Sequence, residues 1–186
     1  MQIKKEFFYV SNLISVLRVI LLIPVCYLLL NDFETQHTLI IILVLCMYFS
    51  DLLDGYLARK LNQVSELGKI IDPLADKISV VMISLILLYL KKIPLWFVLI
   101  VVIRDLAIFG FGYYLNKKKD IRLMSNLPGK LAVFSIGLII LFSIIDSAFL
   151  KQVNTYMYFI SLALITYSSY LYFLRFKETV RAGQYE

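Results

Sequence analysis

Long apolar stretches, separated by short polar ones, run through the whole chain. A helix needs about 20 mostly apolar residues to cross the hydrocarbon core of a bilayer. Six stretches come close to that length, and they cover residues 12–30, 38–58, 70–90, 94–115, 131–149 and 156–174. The pattern therefore predicts an all-α fold, namely a polytopic integral membrane protein whose six transmembrane helices form a single domain over residues 1–186.

The basic residues predict the orientation of those helices. Apart from Lys69 and Lys130, which directly precede a stretch, eleven lysines and arginines lie before the first stretch or after the second, fourth and sixth, whereas three lie after the third and fifth. Loops rich in lysine and arginine stay on the cytoplasmic side of a membrane, so both termini are predicted to be cytoplasmic. In residues 1–10, Lys4 and Lys5 adjoin Phe7 and Phe8, and this segment is predicted to be amphipathic and to lie at the membrane interface.

Composition agrees with a membrane protein and excludes several other classes. Of the 186 residues, 61% are hydrophobic, the formal net charge is +6, and the mean hydropathy is +0.83. These values exclude a soluble globular domain, a disordered chain and a disulfide-rich secreted scaffold. Cys26 and Cys46 lie within predicted spans and are interpreted as small apolar residues. No nucleic-acid partner is expected.

Four aspartates lie inside or at the rim of predicted spans, and a charged side chain costs about 2.5–3.5 kcal/mol at the centre of a span. Asp51 and Asp54 are three residues apart near the end of the second span, and Asp72 and Asp76 are four residues apart near the start of the third. Each pair shares one helix face, with Cβ atoms about 5–6 Å apart. Crowded carboxylates repel unless cations compensate. Such oxygen ligands suit Mg²⁺ or Mn²⁺, and bridging carboxylates can bind two metal ions roughly 3.5–4 Å apart.

Two other interpretations of these aspartates are open. Each aspartate can pair with a neighbouring basic residue at the water boundary, but this explains one aspartate more easily than four at paired helical spacing. The four can also form the ion site of a small cation transporter. That second interpretation leaves the small residues Gly55 and Ala58, and the adjoining Arg59, without an explanation.

The aspartates belong to a longer sequence motif. Residues 51–59 read D-L-L-D-G-Y-L-A-R, and after eight further residues the chain continues G-K-I-I-D-P-L-A-D at 68–76. This motif resembles the signature D-x-x-D-G-x-x-A-R-x8-G-x3-D-x3-D of the CDP-alcohol phosphatidyltransferases. Nearer the N terminus, Asn12 and Arg18 are similar to the Pro-Asn-x-Leu-Thr-x-x-Arg opening of the same family, with serine at positions 11 and 15.

The resemblance implies an enzyme that transfers the phosphatidyl group of CDP-diacylglycerol to an alcohol and releases CMP. It implies two Mg²⁺ or Mn²⁺ ions, the first bound by Asp51, Asp54 and Asp72 and the second by Asp51, Asp72 and Asp76. Asp76 is then also the general base that accepts the proton of the acceptor hydroxyl. The residues implied to bind the CDP-linked lipid are Asp51, Gly55, Ala58, Arg59 and Gly68. A homodimer in the bacterial inner (plasma) membrane, with its active site facing the cytoplasm, is implied as well.

Basic residues in the second half of the chain indicate the class of acceptor. Arg104 lies within the fourth span, Lys130 lies at the start of the fifth, and Arg122 lies between them. Guanidinium and ammonium groups form strong charge-assisted hydrogen bonds with phosphate, so we expect these residues to bind a small alcohol that carries its own phosphate. Asp105 adjoins Arg104, but adjacent residues on a helix do not face each other. No pairing between the two is therefore expected.

Similarity within the family favours one acceptor. Residues 55–62 and 72–77 are most similar to those of bacterial phosphatidylglycerophosphate synthases, which implies glycerol 3-phosphate as the acceptor. Gly129 and Lys130 resemble the start of the Gly-Lys-x-Lys-Thr sequence of those enzymes, but Ala132 and Val133 stand in place of its second lysine and its threonine. Inositol phosphate or another alcohol therefore stays open as the acceptor.

Overall fold

The computed structural model describes residues 9–60, 68–119 and 126–182, with side chains at 9, 12–50, 53, 60, 74–110 and 126–177. Within those ranges the regular structure is entirely α-helical, which confirms the predicted all-α class. The helices are α1 (Val10–Asn31), α2 (His37–Lys60), α3 (Gly68–Tyr89), α4 (Leu95–Lys119), α5 (Leu127–Ile145) and α6 (Ala148–Ala182). The amphipathic segment predicted at 1–10 lies, except for its last two residues, outside the described part of the chain.

Each predicted span corresponds to one helix, but the last two helices have different bounds from those predicted. The helix α5 covers Leu127–Ile145 rather than 131–149, and α6 covers Ala148–Ala182 rather than 156–174. The break between them falls at Asp146, whose φ of 56° is left-handed and whose N–H donates to the Phe142 carbonyl over 3.1 Å. Ser147 then begins α6, because its Oγ accepts from the Leu150 N–H over 3.2 Å, as N-terminal capping residues do.

Among the described residues, three helical segments are long and apolar enough to cross a membrane by length and composition. They are Asn12–Asn31, Leu127–Ile145 and Ala148–Lys177. A fourth, shorter apolar helical segment covers His37–Ser50. These segments agree with an integral membrane protein, whereas the complete six-span arrangement and the orientation of the termini stay predictions.

The chain divides into two compact units, Met1–Lys92 and Ile93–Glu186, which we call unit 1 and unit 2. In unit 1, α1 packs against both α2 and α3. The buried face of α1 is polar in its first half and apolar in its second, and its residues are Asn12, Ser15, Arg18, Leu22, Val25 and Leu29. Their spacing of three or four residues is that of a single helix face.

One end of unit 1 is fixed by contacts between its two connecting segments. The Lys92 ammonium, which follows α3, lies 3.7 Å from a Glu34 carboxylate oxygen and 4.8 Å from the centre of the Phe33 ring. Glu34 also lies 3.8 Å from His37 Nε2 at the start of α2. The end of α3 therefore lies beside the connection from α1 to α2. Positions along the three helices can be measured from this end of unit 1.

In unit 2, α6 packs against both α4 and α5. The buried residues of α5 and α6 include isoleucines and six small residues, which are Gly129, Ala132, Ser135, Ser143, Ser161 and Ser168. Small residues let helix backbones approach closely where lipid gives no hydrophobic driving force for association. Near the other end of this pair, the Asn154 Nδ2 donates to Ser143 Oγ over 3.0 Å and to the Ile139 carbonyl over 3.3 Å.

Candidate active site

The aspartate motif lies in the second half of α2 and the first half of α3. Asp51 follows His37, the first residue of α2, by 14 positions, and Asp76 precedes Tyr89, the last residue of α3, by 13 positions. At 1.5 Å per residue, both lie about 20 Å from the end of unit 1 at which Lys92 contacts Glu34. Asp51 of the first aspartate pair and Asp76 of the second therefore lie at about the same height along α2 and α3.

Most side chains of the motif lie outside the described residues. Asp76 is described and is half-buried. The predicted site residues whose side chains are not described are Asp51, Asp54, Gly55, Ala58, Arg59, Gly68 and Asp72. Their assignment to metal ions and to the CDP-linked lipid stays a prediction.

Arg18 is a buried cation to which sequence reasoning gave no role. It lies on the buried face of α1, with 2% of its surface exposed. It precedes Asn31, the last residue of α1, by 13 positions, so it lies about 20 Å from the same end of unit 1. Unit 1 therefore buries a guanidinium at the level of Asp51 and Asp76.

The chemistry of the motif fits a divalent metal ion. Its four acidic residues offer only carboxylate oxygens, and it contains no cysteine or histidine. Oxygen donors of this kind suit Mg²⁺ and Mn²⁺ rather than zinc or copper. Among the residues whose side chains are described, no group of three or more histidine, cysteine, aspartate or glutamate residues lies together. The fit therefore rests on the donor set of the motif.

In unit 2, Arg104 is buried and forms an ion pair that the sequence did not predict. Its side chain is 7% exposed, and its Nη1 donates to Asp105 Oδ1 over 2.7 Å. The expectation that these adjacent residues do not pair is therefore wrong. The Cβ atoms of neighbouring helical residues point in different directions, but the long arginine side chain can bend back toward its neighbour. A buried guanidinium without a partner is costly, and this cost favours the bent conformation.

The rest of the Arg104 guanidinium faces the first turn of α5. Its Nε is buried and has no hydrogen-bond partner among the described residues. Its Nη2 lies 3.6 Å from the position that a Cβ atom on Gly129 would occupy. Because Nε and Nη2 lie on the same edge of the planar guanidinium, this edge offers two parallel N–H groups, the arrangement that binds carboxylate or phosphate through two hydrogen bonds.

The first turn of α5 is fixed against α6 by Asn126. The Asn126 Oδ1 accepts from the Gly129 N–H over 2.7 Å and from Ser168 Oγ over 3.0 Å. Its Nδ2 donates to the Ser168 carbonyl over 3.4 Å. A Cβ atom at Gly129 would lie 2.6 Å from Asn126 Oδ1 and 2.9 Å from Ser168 Oγ. Only glycine fits here without a shift of these groups.

Residues 128–130 of this turn offer no unbound backbone N–H group to an anion. Pro128 has no N–H, the Gly129 N–H is bound by Asn126, and the Lys130 N–H donates to the Asn126 carbonyl over 3.1 Å. Among the predicted phosphate ligands, the side chains of the buried Arg104 and the exposed Lys130 are described near this turn. Arg122, the third predicted phosphate ligand, lies outside the described residues.

Two residues of this chain differ from the Gly-Lys-x-Lys-Thr sequence of bacterial phosphatidylglycerophosphate synthases, and the two differ in burial. Ala132 is fully buried, whereas Val133 is 47% exposed. The second lysine of the subfamily motif is thus replaced here by a methyl group at a helix contact. Sequence reasoning also missed Asn126 and Ser168. Asn126 two residues before Pro128 is a helix-start signal that would have located the turn, whereas nothing in the sequence singles out Ser168.

Comparison with known proteins identifies the class. The family model for CDP-alcohol phosphatidyltransferase matches residues 8–167, which is most of the chain. The chain therefore belongs to the CDP-alcohol phosphatidyltransferase family and is an enzyme of that class, as the motif predicted.

Named relatives within the family narrow the comparison. A CDP-diacylglycerol–glycerol-3-phosphate 3-phosphatidyltransferase from Aquifex aeolicus is 34% identical over 169 residues, which cover 86% of this chain and 90% of that protein. An enzyme of the same name from Bacillus subtilis is 36% identical over 86 residues, 46% of this chain and 44% of that protein. A probable CMP-forming cardiolipin synthase from Drosophila melanogaster is 31% identical over 108 residues, 58% of this chain and 33% of that protein.

Proposed function

We propose that this enzyme transfers the phosphatidyl group of CDP-diacylglycerol to glycerol 3-phosphate, giving phosphatidylglycerophosphate and CMP. The Arg104 edge near the first turn of α5 carries the choice of a phosphorylated acceptor, because it offers two parallel N–H groups and its buried Nε has no hydrogen-bond partner among the described residues. The name of the Aquifex aeolicus relative, matched over 90% of its length, supports glycerol 3-phosphate as that acceptor.

The transfer exchanges one phosphorus–oxygen bond for another. The acceptor hydroxyl oxygen attacks the phosphorus that bears diacylglycerol, the bond from that phosphorus to the oxygen of CMP breaks, and the hydroxyl proton passes to the Asp76 carboxylate. The residues proposed to bind Mg²⁺ or Mn²⁺ are Asp51, Asp54, Asp72 and Asp76. Such ions, when bound, neutralise charge on the diphosphate and on the leaving group. Gly55, Ala58, Arg59 and Gly68 are proposed to bind the cytidine and diphosphate, together with Asp51.

The acceptor phosphate is proposed to lie against the first turn of α5. The Nε and Nη2 of Arg104 donate to two phosphate oxygens, and Lys130 and Arg122 supply further positive charge. A terminal phosphate monoester presents three oxygens and about two negative charges, so it can satisfy both the two-donor edge and a second cation. Inositol has no anionic group, and the carboxylate of serine has only one negative charge and adjoins an ammonium group that Arg104 and Lys130 repel.

The proposal includes how the enzyme lies in the membrane. All six helices are proposed to span the membrane with both termini cytoplasmic, and the enzyme is proposed to act as a homodimer in the bacterial inner membrane. A water-soluble acceptor and a lipid donor then meet at the cytoplasmic side. This orientation is supported by the excess of lysine and arginine in the loops on that side.

The decisive experiment measures CMP release by the full-length protein, purified in detergent, with CDP-diacylglycerol and Mg²⁺ or Mn²⁺. The acceptors compared are glycerol 3-phosphate, inositol phosphate, inositol, serine and phosphatidylglycerol, the last because some relatives are named cardiolipin synthases. We expect CMP and phosphatidylglycerophosphate with glycerol 3-phosphate alone. An Asp72→Asn protein, prepared in the same way, controls for a contaminating enzyme.

Other outcomes of this experiment contradict the proposal at different points. CMP release only with another acceptor would reject glycerol 3-phosphate while keeping the family reaction. Release with phosphatidylglycerol alone would favour a cardiolipin synthase. A wild-type protein that binds CDP-diacylglycerol but releases CMP with none of the five would reject the proposed activity.

A further inference from the structure

The ion pair between Arg104 and Asp105 restricts the orientation of the guanidinium. Asp105 binds Nη1, which lies at the end of the arginine away from the Nε–Nη2 edge. A guanidinium has five N–H donors in one rigid plane, so an anchored Nη1 limits the directions that the other edge can take. That edge then faces Gly129, where its Nη2 lies 3.6 Å from the Cβ position of a hypothetical alanine.

We infer that Asp105 is a positioning residue that holds Arg104 with its two-donor edge toward the first turn of α5, and that it thereby sets the preference for a phosphorylated acceptor. This inference rests on the proposed function, which assigns Arg104 to the acceptor phosphate. Asp105 itself does not touch the acceptor. It acts through Arg104, and its effect belongs to acceptor affinity rather than to the rate of the chemical step.

The surroundings of Arg104 explain why orientation matters here. The opposite wall of the site is the first turn of α5, which Asn126 and Ser168 hold in place through three hydrogen bonds of 2.7, 3.0 and 3.4 Å. A rigid wall cannot follow a guanidinium that rotates. If Arg104 lost its anchor, one of its two parallel donors would turn away from the phosphate, and a two-point contact would become a single one.

A second role for Asp105 would have the opposite effect, and this makes the inference testable. A carboxylate that only neutralised Arg104 would repel an incoming phosphate, so its removal would tighten acceptor binding. An orienting carboxylate gives weaker acceptor binding when it is removed. The sign of the change in acceptor KM therefore separates the two roles.

The experiment compares Asp105→Asn and Asp105→Leu in the full-length protein, with KM and kcat measured for glycerol 3-phosphate and for CDP-diacylglycerol. The asparagine oxygen still accepts from Nη1, so we expect an acceptor KM within about threefold of wild type. Leucine keeps a similar volume but accepts no hydrogen bond, so we expect the acceptor KM to rise about tenfold. The KM for CDP-diacylglycerol and kcat should change less than threefold in both variants.

Two further measurements sharpen the test. In an Arg104→Ala background, Asp105→Leu should have no added effect on acceptor KM, because the residue it positions is gone. Inhibition by inorganic phosphate, competitive with glycerol 3-phosphate, should weaken about tenfold in Asp105→Leu and stay near wild type in Asp105→Asn. Asp146→Ala removes the ion pair with Lys151, 3.1 Å long and elsewhere in unit 2, and should leave every constant unchanged.

Several results would overturn the inference. A fall in acceptor KM in either variant would show that Asp105 repels the acceptor. Equal effects of asparagine and leucine would show that charge rather than orientation matters, and a fall in kcat with no change in acceptor KM would show a purely structural role. If wild-type protein itself used no phosphorylated acceptor, the proposed function would fail first, and this inference would fail with it.

Discussion

The residues around a buried guanidinium determine which of its N–H groups can bind a ligand. Arg104 is 8% exposed, has one nitrogen bound by Asp105, and keeps a second buried nitrogen without a partner among the described residues. We expect Arg104→Ala to raise the KM for glycerol 3-phosphate 10- to 100-fold, since a hydrogen bond to a charged group contributes about 1.5–3 kcal/mol. Lys130→Ala should act in the same direction, but less because Lys130 is exposed.

This prediction is checked by steady-state kinetics with each substrate varied in turn. The KM for CDP-diacylglycerol should stay within about twofold, because the lost contact belongs to the acceptor. Lys151→Ala, which removes a lysine paired with Asp146, is the matched control and should change neither KM. An acceptor KM unchanged in Arg104→Ala would exclude this arginine from the phosphate site.

Asp76 is assigned two roles, and one substitution can separate them. Asp76→Asn keeps the shape and an oxygen that can contact a metal ion, but a carboxamide does not accept the proton. We expect CMP release to fall at least about 1,000-fold, within the range that general-base catalysis contributes. Binding of CDP-diacylglycerol, measured by equilibrium titration, should persist within about tenfold. Loss of binding together with turnover would argue against a separate role as the base.

At the scale of residues, the sequence predicted which residues belong to the family motif, but it did not predict contacts between side chains. The motif from Asp51 to Asp76 identified the family because its spacing is fixed by helix geometry and by chemistry. The Arg104–Asp105 pair could not be predicted, because a rule about Cβ directions says little about a side chain as long as arginine. Ser168 contributes through a contact 42 residues away in the chain, and local sequence carries no signal for it.

At the scale of elements, the first turn of α5 is the most tightly constrained described part of unit 2. Gly129→Ala would place a methyl group 2.6 Å from Asn126 Oδ1 and 2.9 Å from Ser168 Oγ, so the cap must break or the helices must separate. We expect a loss of about 2–4 kcal/mol in the free energy of unfolding, measured as a lower Tm in detergent, together with a higher acceptor KM.

Gly137 provides the matched control on the same helix. A Cβ atom there has nothing within 4 Å, so Gly137→Ala should cost nothing and gain up to about 1 kcal/mol from helix propensity. Equal losses in the two alanine variants would mean that the helix tolerates no alanine, and that the Asn126–Ser168 contact is not what makes Gly129 special.

The end of α3 offers a second comparison of neighbouring residues. Lys91 has a φ of 58°, a left-handed conformation that costs a non-glycine residue roughly 1 kcal/mol. Lys91→Gly should therefore raise Tm, by about 2 °C at most. The gain is limited because glycine loses more conformational entropy on folding than lysine does. Lys92→Gly should lower Tm, because Lys92 contacts both Glu34 and Phe33. A lower Tm in both variants would show that the Lys91 conformation stores no strain.

Hydrophobic patterning predicted the number of helices but placed the ends of the last two incorrectly. A polar separator begins at Asp146, but apolar residues follow it as far as Leu150, so the predicted fifth span overlaps that separator; no glycine marks the left-handed residue. The early start of α5 follows from Asn126, whose capping bond to Gly129 adds one turn before the predicted start. Helix ends are decided by hydrogen bonds of one or two residues, which an average over 20 residues does not detect.

At the scale of the whole molecule, the proposed activity depends on divalent metal ions. We expect removal of metal with EDTA to abolish CMP release, and addition of Mg²⁺ or Mn²⁺ in excess of EDTA to restore it. Ca²⁺, which is larger and prefers more ligands, should restore far less. Full activity in a metal-free preparation, verified by elemental analysis, would reject the metal assignment of the four aspartates.

The length of α6 has a consequence for where the acceptor is bound. Ser168 follows Ala148, the first residue of α6, by 20 positions, which corresponds to about 30 Å along the helix axis. That distance matches the thickness of the hydrocarbon core of a bilayer. If α6 enters the core near Ala148, the contact of Ser168 with Asn126 lies where the acyl chains give way to headgroups. The proposed acceptor, glycerol 3-phosphate, can then reach Arg104 from water without entering the hydrocarbon core. The acyl chains of CDP-diacylglycerol stay in the membrane.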